Sequence, residues 1–141
     1  MKDAVKIILY DTNGRLLALR RSGTHPWLPY HFDPPGGDVD EGENIEMAVI
    51  REVREETGIE LHPHRLRHAH EKSYTGGRRH TLLLARIDEQ APAVTISWEH
   101  DIYHWLSVDD FLQVSQPPRR DDFLEMVRDY LAGSTSAEVV R

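Results

Sequence analysis

The chain has no cysteine, which removes disulfides, thiolate metal ligands and a cysteine nucleophile and leaves oxygen and imidazole chemistry. It also lacks any apolar run near the ~18 residues that a membrane helix needs. The opening, MKDAVKIILYD, offers only the apolar run Ile7 to Tyr10, where a signal peptide needs about 7–15 such residues. The expectation is a mature cytoplasmic protein that does not engage a membrane. A surplus of positive charge is missing too: the net charge is −7, against the basic face needed to displace counterions from nucleic acid. No internal repeat or low-complexity tract is present. What remains, 141 residues with 39% hydrophobic and 29% charged, is enough for one domain with its own core. A single domain is expected over residues 1–133, followed by a flexible tail at 134–141.

The charge is unevenly placed. From Gly37 to Ile59, eight acids stand against Arg51 and Arg54, so this one segment carries −6 of the total. Its core is REVREETG, Arg51 to Gly58.

Local patterns sketch the frame. VKIILYD and LLALRR flank Asn13-Gly14 and read as a hairpin with a two-residue turn. Residues 22–36 hold four prolines and two glycines and read as a long irregular loop, a common place for function. A helix is expected from Ile45 to Thr57, with Asn44 as N-cap and Gly58 as the left-handed stop. Strands follow at 66–74, after a turn at Thr75-Gly76-Gly77 from Arg79 to Ile87, and at AVTISW and IYHWL. Phe123, Leu124, Val127, Tyr130 and Leu131 recur at helical spacing and mark a closing helix over 121–131. This order suggests an α/β fold, a mixed sheet with helices packed on it.

On the first helix, Glu55, Glu56, Ile45, Ala48 and Val49 all project within about 60° of Glu52. The carboxylates therefore continue an apolar stripe. A solvated charged face would avoid that side, and unpaired ionised carboxylates are costly there. A hard divalent cation resolves the conflict: Mg²⁺ prefers oxygen ligands and is commonly held by a few carboxylates together with substrate phosphates. Zinc suits the pattern less, since no histidine is interleaved.

Written from the glycine, GDVDEGENIEMAVIREVREETGI resembles the box of the Nudix hydrolase superfamily, G-x5-E-x7-R-E-U-x-E-E-x-G-U with U a bulky aliphatic residue. Gly37, Glu43, Arg51, Glu52, Glu55, Glu56 and Gly58 fill every fixed position, with Val53 and Ile59 at the aliphatic ones. At ~7% per fixed position, a chance match in a chain of this size is about one in a million. The resemblance implies a Nudix-type α/β/α sandwich with a mixed sheet, and hydrolysis of a nucleoside diphosphate linked to another moiety. It implies Mg²⁺, with Mn²⁺ as a substitute, held by Glu52, Glu55 and Glu56 and the Gly36 carbonyl, with Glu99 in SWEHDIYHW as a further ligand or assistant. Glu52 is the box's candidate for activating water, although in some members the base lies outside the box. Arg51 and Glu43 would orient the acids. One departure stands out: Pro34 occupies the place of an aliphatic residue in the family's loop.

Arg20 or Arg21 at the end of the second strand, and Arg78, Arg79 and His80 after a hairpin turn, are candidates to grip a phosphate. Trp27, Tyr30 and Phe32 could stack on a base, Phe32 equally serving as a core anchor, and Trp105 is assigned to the core. His62, His64, His68 and His70 read as surface histidines, since no carboxylate or cysteine frame accompanies them. For substrate, the accessory positions of the family offer Thr75 where a proline would suggest ADP-ribose, with Tyr74 beside the place of a tyrosine that suggests dinucleoside polyphosphates. The short single domain suits a nucleoside triphosphate pyrophosphohydrolase, with the removal of modified nucleotides as one role open to it. A dinucleoside polyphosphate or ADP-sugar hydrolase, and a nucleotide-sensing module without turnover, are the alternatives. A small nucleotide is the expected partner, no nucleic acid polymer is, and monomer and homodimer are both compatible with the sequence.

Overall fold

The computed structural model describes residues 2–26, 29–116 and 119–134. Strand β1 (Ala4–Tyr10) sends its even-numbered side chains, Ala4, Ile8 and Tyr10, to one face of the sheet and Val5, Ile7 and Leu9 to the other, all of them buried. Such a two-sided apolar strand demands a layer on each face. Helix α1 (Ile45–Thr57) covers one with Ala48, Val49 and Val53. Helices α2 (Val108–Val114) and α3 (Asp122–Ser134) cover the other with Phe111, Phe123, Leu124, Val127 and Leu131. The result is an α/β/α sandwich.

The sheet is mixed and seven-stranded. Strand β1 runs parallel to β6 (Arg79–Arg86), which pairs antiparallel with β5 (Arg67–Ser73). Strand β2 (Leu16–Arg21) is antiparallel to β7 (His100–Leu106). The hairpin strands β1 and β2 meet only at Tyr10 and Leu16 and then part. Into the gap run two short strands, β3 (Phe32–Asp33) on β2 and β4 (Gly36–Asp38) on β1. The amide of Ile7 donates to the Pro35 carbonyl at 3.0 Å and that of Arg21 to the His31 carbonyl at 2.9 Å, stitching the proline-rich segment to both sides. The wedge is what opens a cleft at this end of the sheet.

Several sequence expectations change here. The loop 22–36 is not wholly irregular, since its end supplies β3 and the start of β4. The hairpin turn has three residues rather than two: Asp11 N–H donates to Arg15, Gly14 N–H to Asp11, and only Gly14 is left-handed, at φ 76°. The Asp11 carboxylate selects this form by accepting from the amides of Asn13 and Arg15, each at 2.9 Å. AVTISW is not a strand; it crosses the end of α1, with Thr95 N–H on the Thr57 carbonyl and Val94 in the core. Helix α2 was not anticipated, though Ser107 caps it by accepting from the Asp110 amide at 3.1 Å. The expected ends of α1 hold. Asn44 Oδ1 accepts from Met47 N–H at 2.8 Å, and Gly58 stops the helix at φ 77°. Helix α3 runs through Ser134, so of the expected tail only 135–141 remains, outside the described residues. Among the described residues no helix is long and apolar enough to cross a membrane.

Candidate functional site

The cleft measures about 550 Å³ and gathers residues from every element that meets at the wedge. Lys6 comes from β1, Asp33, Pro34, Gly36 and Gly37 from the wedge, Glu52 and Glu56 from α1, Arg78 from the β5–β6 turn, Glu99 from just before β7 and His100 from its first residue, and Phe123 from α3. Its lining carries the acids Asp33, Asp38, Asp40, Glu52, Glu56 and Glu99 together with the cations Lys2, Lys6, Arg21 and Arg78.

The glutamates do not all turn inward. Glu56 is 5% exposed and its Oε1 accepts from Gly36 N–H at 2.9 Å. The Glu52 side chain is 15% exposed and lies against Gly37 so closely that a Cβ there would sit 2.5 Å from Oε1. Glu55, with 55% of its side chain exposed, stands at the rim outside the cleft lining, its Oε1 on Arg51 Nη1 at 2.7 Å. The expected inward trio is a pair and an outlier: Glu55 projects about 100° from Glu56, where Arg51 engages it. Arg51 holds the assembly together. Its guanidinium also donates to Glu43 (2.7 and 3.0 Å), to Glu52 (3.0 Å) and to the Asp38 carbonyl (3.1 Å). Glu43 in turn accepts from Asp40 N–H at 2.9 Å, so it fixes the loop before α1 as well as Arg51.

Burial dominates the acid–base character. It pushes Glu52 up to about 7, with Arg51 opposing and the negative charges of Glu55 and Glu99 adding to it. Burial also raises Glu56 well above the usual range, against the Gly36 amide and with help from Glu52. Burial thus raises two neighbouring carboxylates in spite of their partners, Arg51 on Glu52 and the Gly36 amide on Glu56.

Below them lies a second charged cluster that the sequence did not flag. Buried Asp33 accepts from Lys6 Nζ (3.1 Å) and from Arg21 Nε (3.1 Å) and Nη2 (2.6 Å), and Arg21 Nη2 reaches Asp121 at 3.3 Å. Burial alone would raise Asp33; Lys6 and Arg21 outweigh it and hold the carboxyl below its usual value. His100 is driven down to about 4, chiefly by burial.

Of the expected phosphate grips, Arg78 lines the cleft, bonded to the Lys2 carbonyl (2.7 Å), Asp38 (3.3 Å) and His80 Nε2 (3.2 Å). Arg21 lines it from beneath, already engaged by Asp33. Arg20 does not belong to it: both arms of its fork are on Asp101, at 2.8 and 2.9 Å. Arg79 pairs instead with Asp3 and Glu71. His80 is buried between Tyr74 and Phe123. Lys6 was missed, and its signal was available: it is the lone charge in an otherwise apolar strand. Glu99 lines the cleft, and its carboxylate lies 4.0 Å from His25. Phe32 packs against the core while Tyr30 stands exposed beneath Arg20, and Trp27 lies outside the described residues. Trp105 packs on the core as expected, its indole donating to the Pro92 carbonyl at 3.1 Å. His68 pairs with Glu46 at 2.7 Å, and among the described residues no three acids or imidazoles gather into a ready-made metal cage.

This arrangement has counterparts. The chain is 33% identical over 92 residues to the asymmetrical bis(5'-nucleosyl)-tetraphosphatase of Mus musculus, a match covering 62% of this chain and 63% of that relative, so under two-thirds of the relative's length is spanned. Among solved structures it is similar to a MutT protein from Methanosarcina mazei Go1, with TM-score 0.74 and 24% identity over 99% of this chain and 96% of that one. It is also similar to an Ap4A hydrolase of C. elegans, solved as a binary complex, with TM-score 0.66 and 25% identity over 93% and 99% of the two chains. The NUDIX domain model matches residues 1–127, nearly the full sandwich together with the helix that carries the acids, and the chain therefore belongs to the Nudix family.

Proposed function

We propose that this chain hydrolyses a pyrophosphate linkage in a nucleoside diphosphate derivative, with Mg²⁺ as its metal and Mn²⁺ as a substitute. The observation that carries the reading is the pair Glu52 and Glu56, both raised by burial and lining one cleft together with Lys6 and Arg78. The donor set fits a hard divalent ion, being all oxygen: Glu52, Glu56, Glu55 once it leaves Arg51, the Gly36 carbonyl by family resemblance, and Glu99 from across the cleft. Such an ion would supply charge neutralisation for the diphosphate and a more acidic water.

The chain's own residues do the rest. Lys6 Nζ and the Arg78 guanidinium meet the phosphate oxygens, and Arg21 adds positive charge from below. Arg51 holds Glu52 by Oε1, which leaves Oε2 to accept the proton of the attacking water.

A nucleoside triphosphate is the first substrate on this reading, since the cleft of about 550 Å³ falls within the ~300–1,000 Å³ of single-ligand sites. A dinucleoside tetraphosphate is the second, favoured by the names of the mouse and C. elegans relatives. The retention of every box glutamate supports turnover over mere nucleotide sensing. The test is hydrolysis of both substrate types with Mg²⁺ and Mn²⁺, with products separated by chromatography. Pyrophosphate with a monophosphate is expected from the triphosphate, and a triphosphate with a monophosphate from the tetraphosphate. Glu52→Gln should lower kcat by ~10²–10⁴-fold. Failure to cleave either type, or near-wild-type turnover by Glu52→Gln, refutes the reading.

A further inference from the structure

The segment HPHRLRH takes no part in the cleft, yet it contributes to a separate concavity of about 220 Å³ lined by Tyr10, His64, Arg65, Arg67, Leu84 and Arg86. No acid lines it, in a chain whose net charge is −7. The sheet register explains why these side chains meet. Arg86 lies beside Tyr10 across the parallel β1–β6 pair, and Arg67 lies opposite Leu84 on β5. Side chains two apart on a strand share a face, so Arg67, Arg86 and Tyr10 stand together on the α3 side of the sheet. The 3-10 turn Pro63–Arg65 brings His64 and Arg65 over them. Arg65 is spoken for by Asp88 and the Arg86 carbonyl. The guanidinium groups of Arg67 and Arg86 make no hydrogen bond or ion pair among the described residues, and both side chains are exposed. This place shares no residue with the cleft, and Tyr10 lies roughly 13 Å along β1 from Lys6 at ~3.3 Å per residue.

We propose that this basic concavity is a second anion site that takes a phosphate or diphosphate group, independently of the hydrolytic cleft and of the reading of that cleft. Two free planar forks match tetrahedral oxyanions by paired N–H···O bonds, with the third arginine and the histidine completing the rim. At about 220 Å³ the site lies below the ~300 Å³ at which whole drug-sized ligands begin to fit, which selects the anionic group over an entire nucleotide.

The test is calorimetric titration of the full chain with sodium pyrophosphate, without added divalent ion, alongside chemical-shift mapping. Saturable binding is expected, with shifts at Arg67 and Arg86 and a loss of about tenfold or more in affinity for the double variant R67Q/R86Q. The thermal midpoint of R67Q/R86Q should match the wild type, and R67K/R86K should keep part of the affinity, which separates lost contacts from a damaged fold. The proposal is overturned by absent saturation, by equal binding to wild type and R67Q/R86Q, or by chemical shifts confined to the hydrolytic cleft. It is overturned equally if a single-stranded RNA oligonucleotide binds through the same arginines far more tightly than pyrophosphate, since the site would then serve a polymer.

Discussion

Replacing Glu52 by glutamine should make the metal-free protein more stable than the wild type at neutral and alkaline pH, by an amount that grows from pH 4.5 to about 7 and is constant above. Burial raises the Glu52 carboxyl from 4.5 to about 7. The folded state therefore binds its proton more tightly than the unfolded state. A group of this kind contributes stability that is complete below its unfolded pKa and is lost as pH rises through the folded one. The window is pH 4.5 to about 7, and at ~1.4 kcal/mol per pH unit the loss is about 3 kcal/mol. Only 15% of the side chain is exposed, so solvent screening trims this figure modestly, to about 2–3 kcal/mol. Glutamine has the same shape and cannot ionise. Glutamine also removes the charge that helps to raise Glu56, so the difference between the two proteins reports Glu52 together with its coupling to Glu56. Denaturant unfolding in EDTA from pH 4 to pH 8.5 should show the gap moving toward glutamine by about 2–3 kcal/mol. In thermal melts that is roughly 5–12 °C. Saturating Mg²⁺ should shrink the gap by stabilising the wild type selectively. A gap that stays flat within ~0.5 kcal/mol across the range would show that Glu52 is not desolvated, and the electrostatic account of the cleft would fail with it.

Other consequences are equally concrete. His100 is buried neutral with its pKa driven down to about 4 from 6.5, so its contribution is complete above pH 6.5 and is lost as pH falls toward 4. His100→Gln should therefore flatten the acid limb of the stability curve by up to about 3 kcal/mol, checked by denaturant unfolding between pH 4 and 7. Gly37→Ala places a Cβ 2.5 Å from the Glu52 carboxylate, a mobile group, and the backbone there is not left-handed. The fold should persist while kcat on the best substrate falls ~10²-fold or more. Gly36→Ala meets the Val5 carbonyl at 2.1 Å with φ +155°, a backbone conflict that should cost more than ~2 kcal/mol in denaturant unfolding. Asn44→Ala removes the cap of α1 and should cost about 1 kcal/mol, with m unchanged.

The elements legible in the sequence are those whose signals are local. Asn44 and Gly58 mark the ends of α1 because caps act on their own turn, and β1 and β6 are marked by β-branched and leucine-rich runs that need no partner to be recognised. The elements that escaped depend on contacts distant in the chain. Phe32–Asp33 and Gly36–Asp38 become strands only because β1 and β2 diverge and expose free edges, and Val94 to Ile96 lacks the edge it would have needed. The site divides in the same way. The helical projection placed Glu52 and Glu56 on the apolar side of α1, but not the contact with Arg51 that holds Glu55 outside the cleft lining. Lys6, Asp33, Arg21, Asp121 and His100 come from five separate stretches, and no spacing rule connects them.

Arg51 shows how so many acids are tolerated before any cation arrives. Its guanidinium touches Glu43, Glu52 and Glu55 together, and these contacts drive its own pKa upward despite partial burial. The arginine is thus an internal counter-ion for the rim of the cluster, while Glu56, out of its reach, is managed by raising its pKa and by the Gly36 amide. A divalent ion offers more charge at shorter range, and would take Glu55 from Arg51 and ionise Glu52 and Glu56 at once. Binding should therefore release protons near neutral pH, more of them at pH 6 than at pH 9. Metal titrations in buffers of different ionisation enthalpy would count them. Equal proton release at both pH values would mean that the carboxylates were already ionised, and that Arg51 alone had been balancing them.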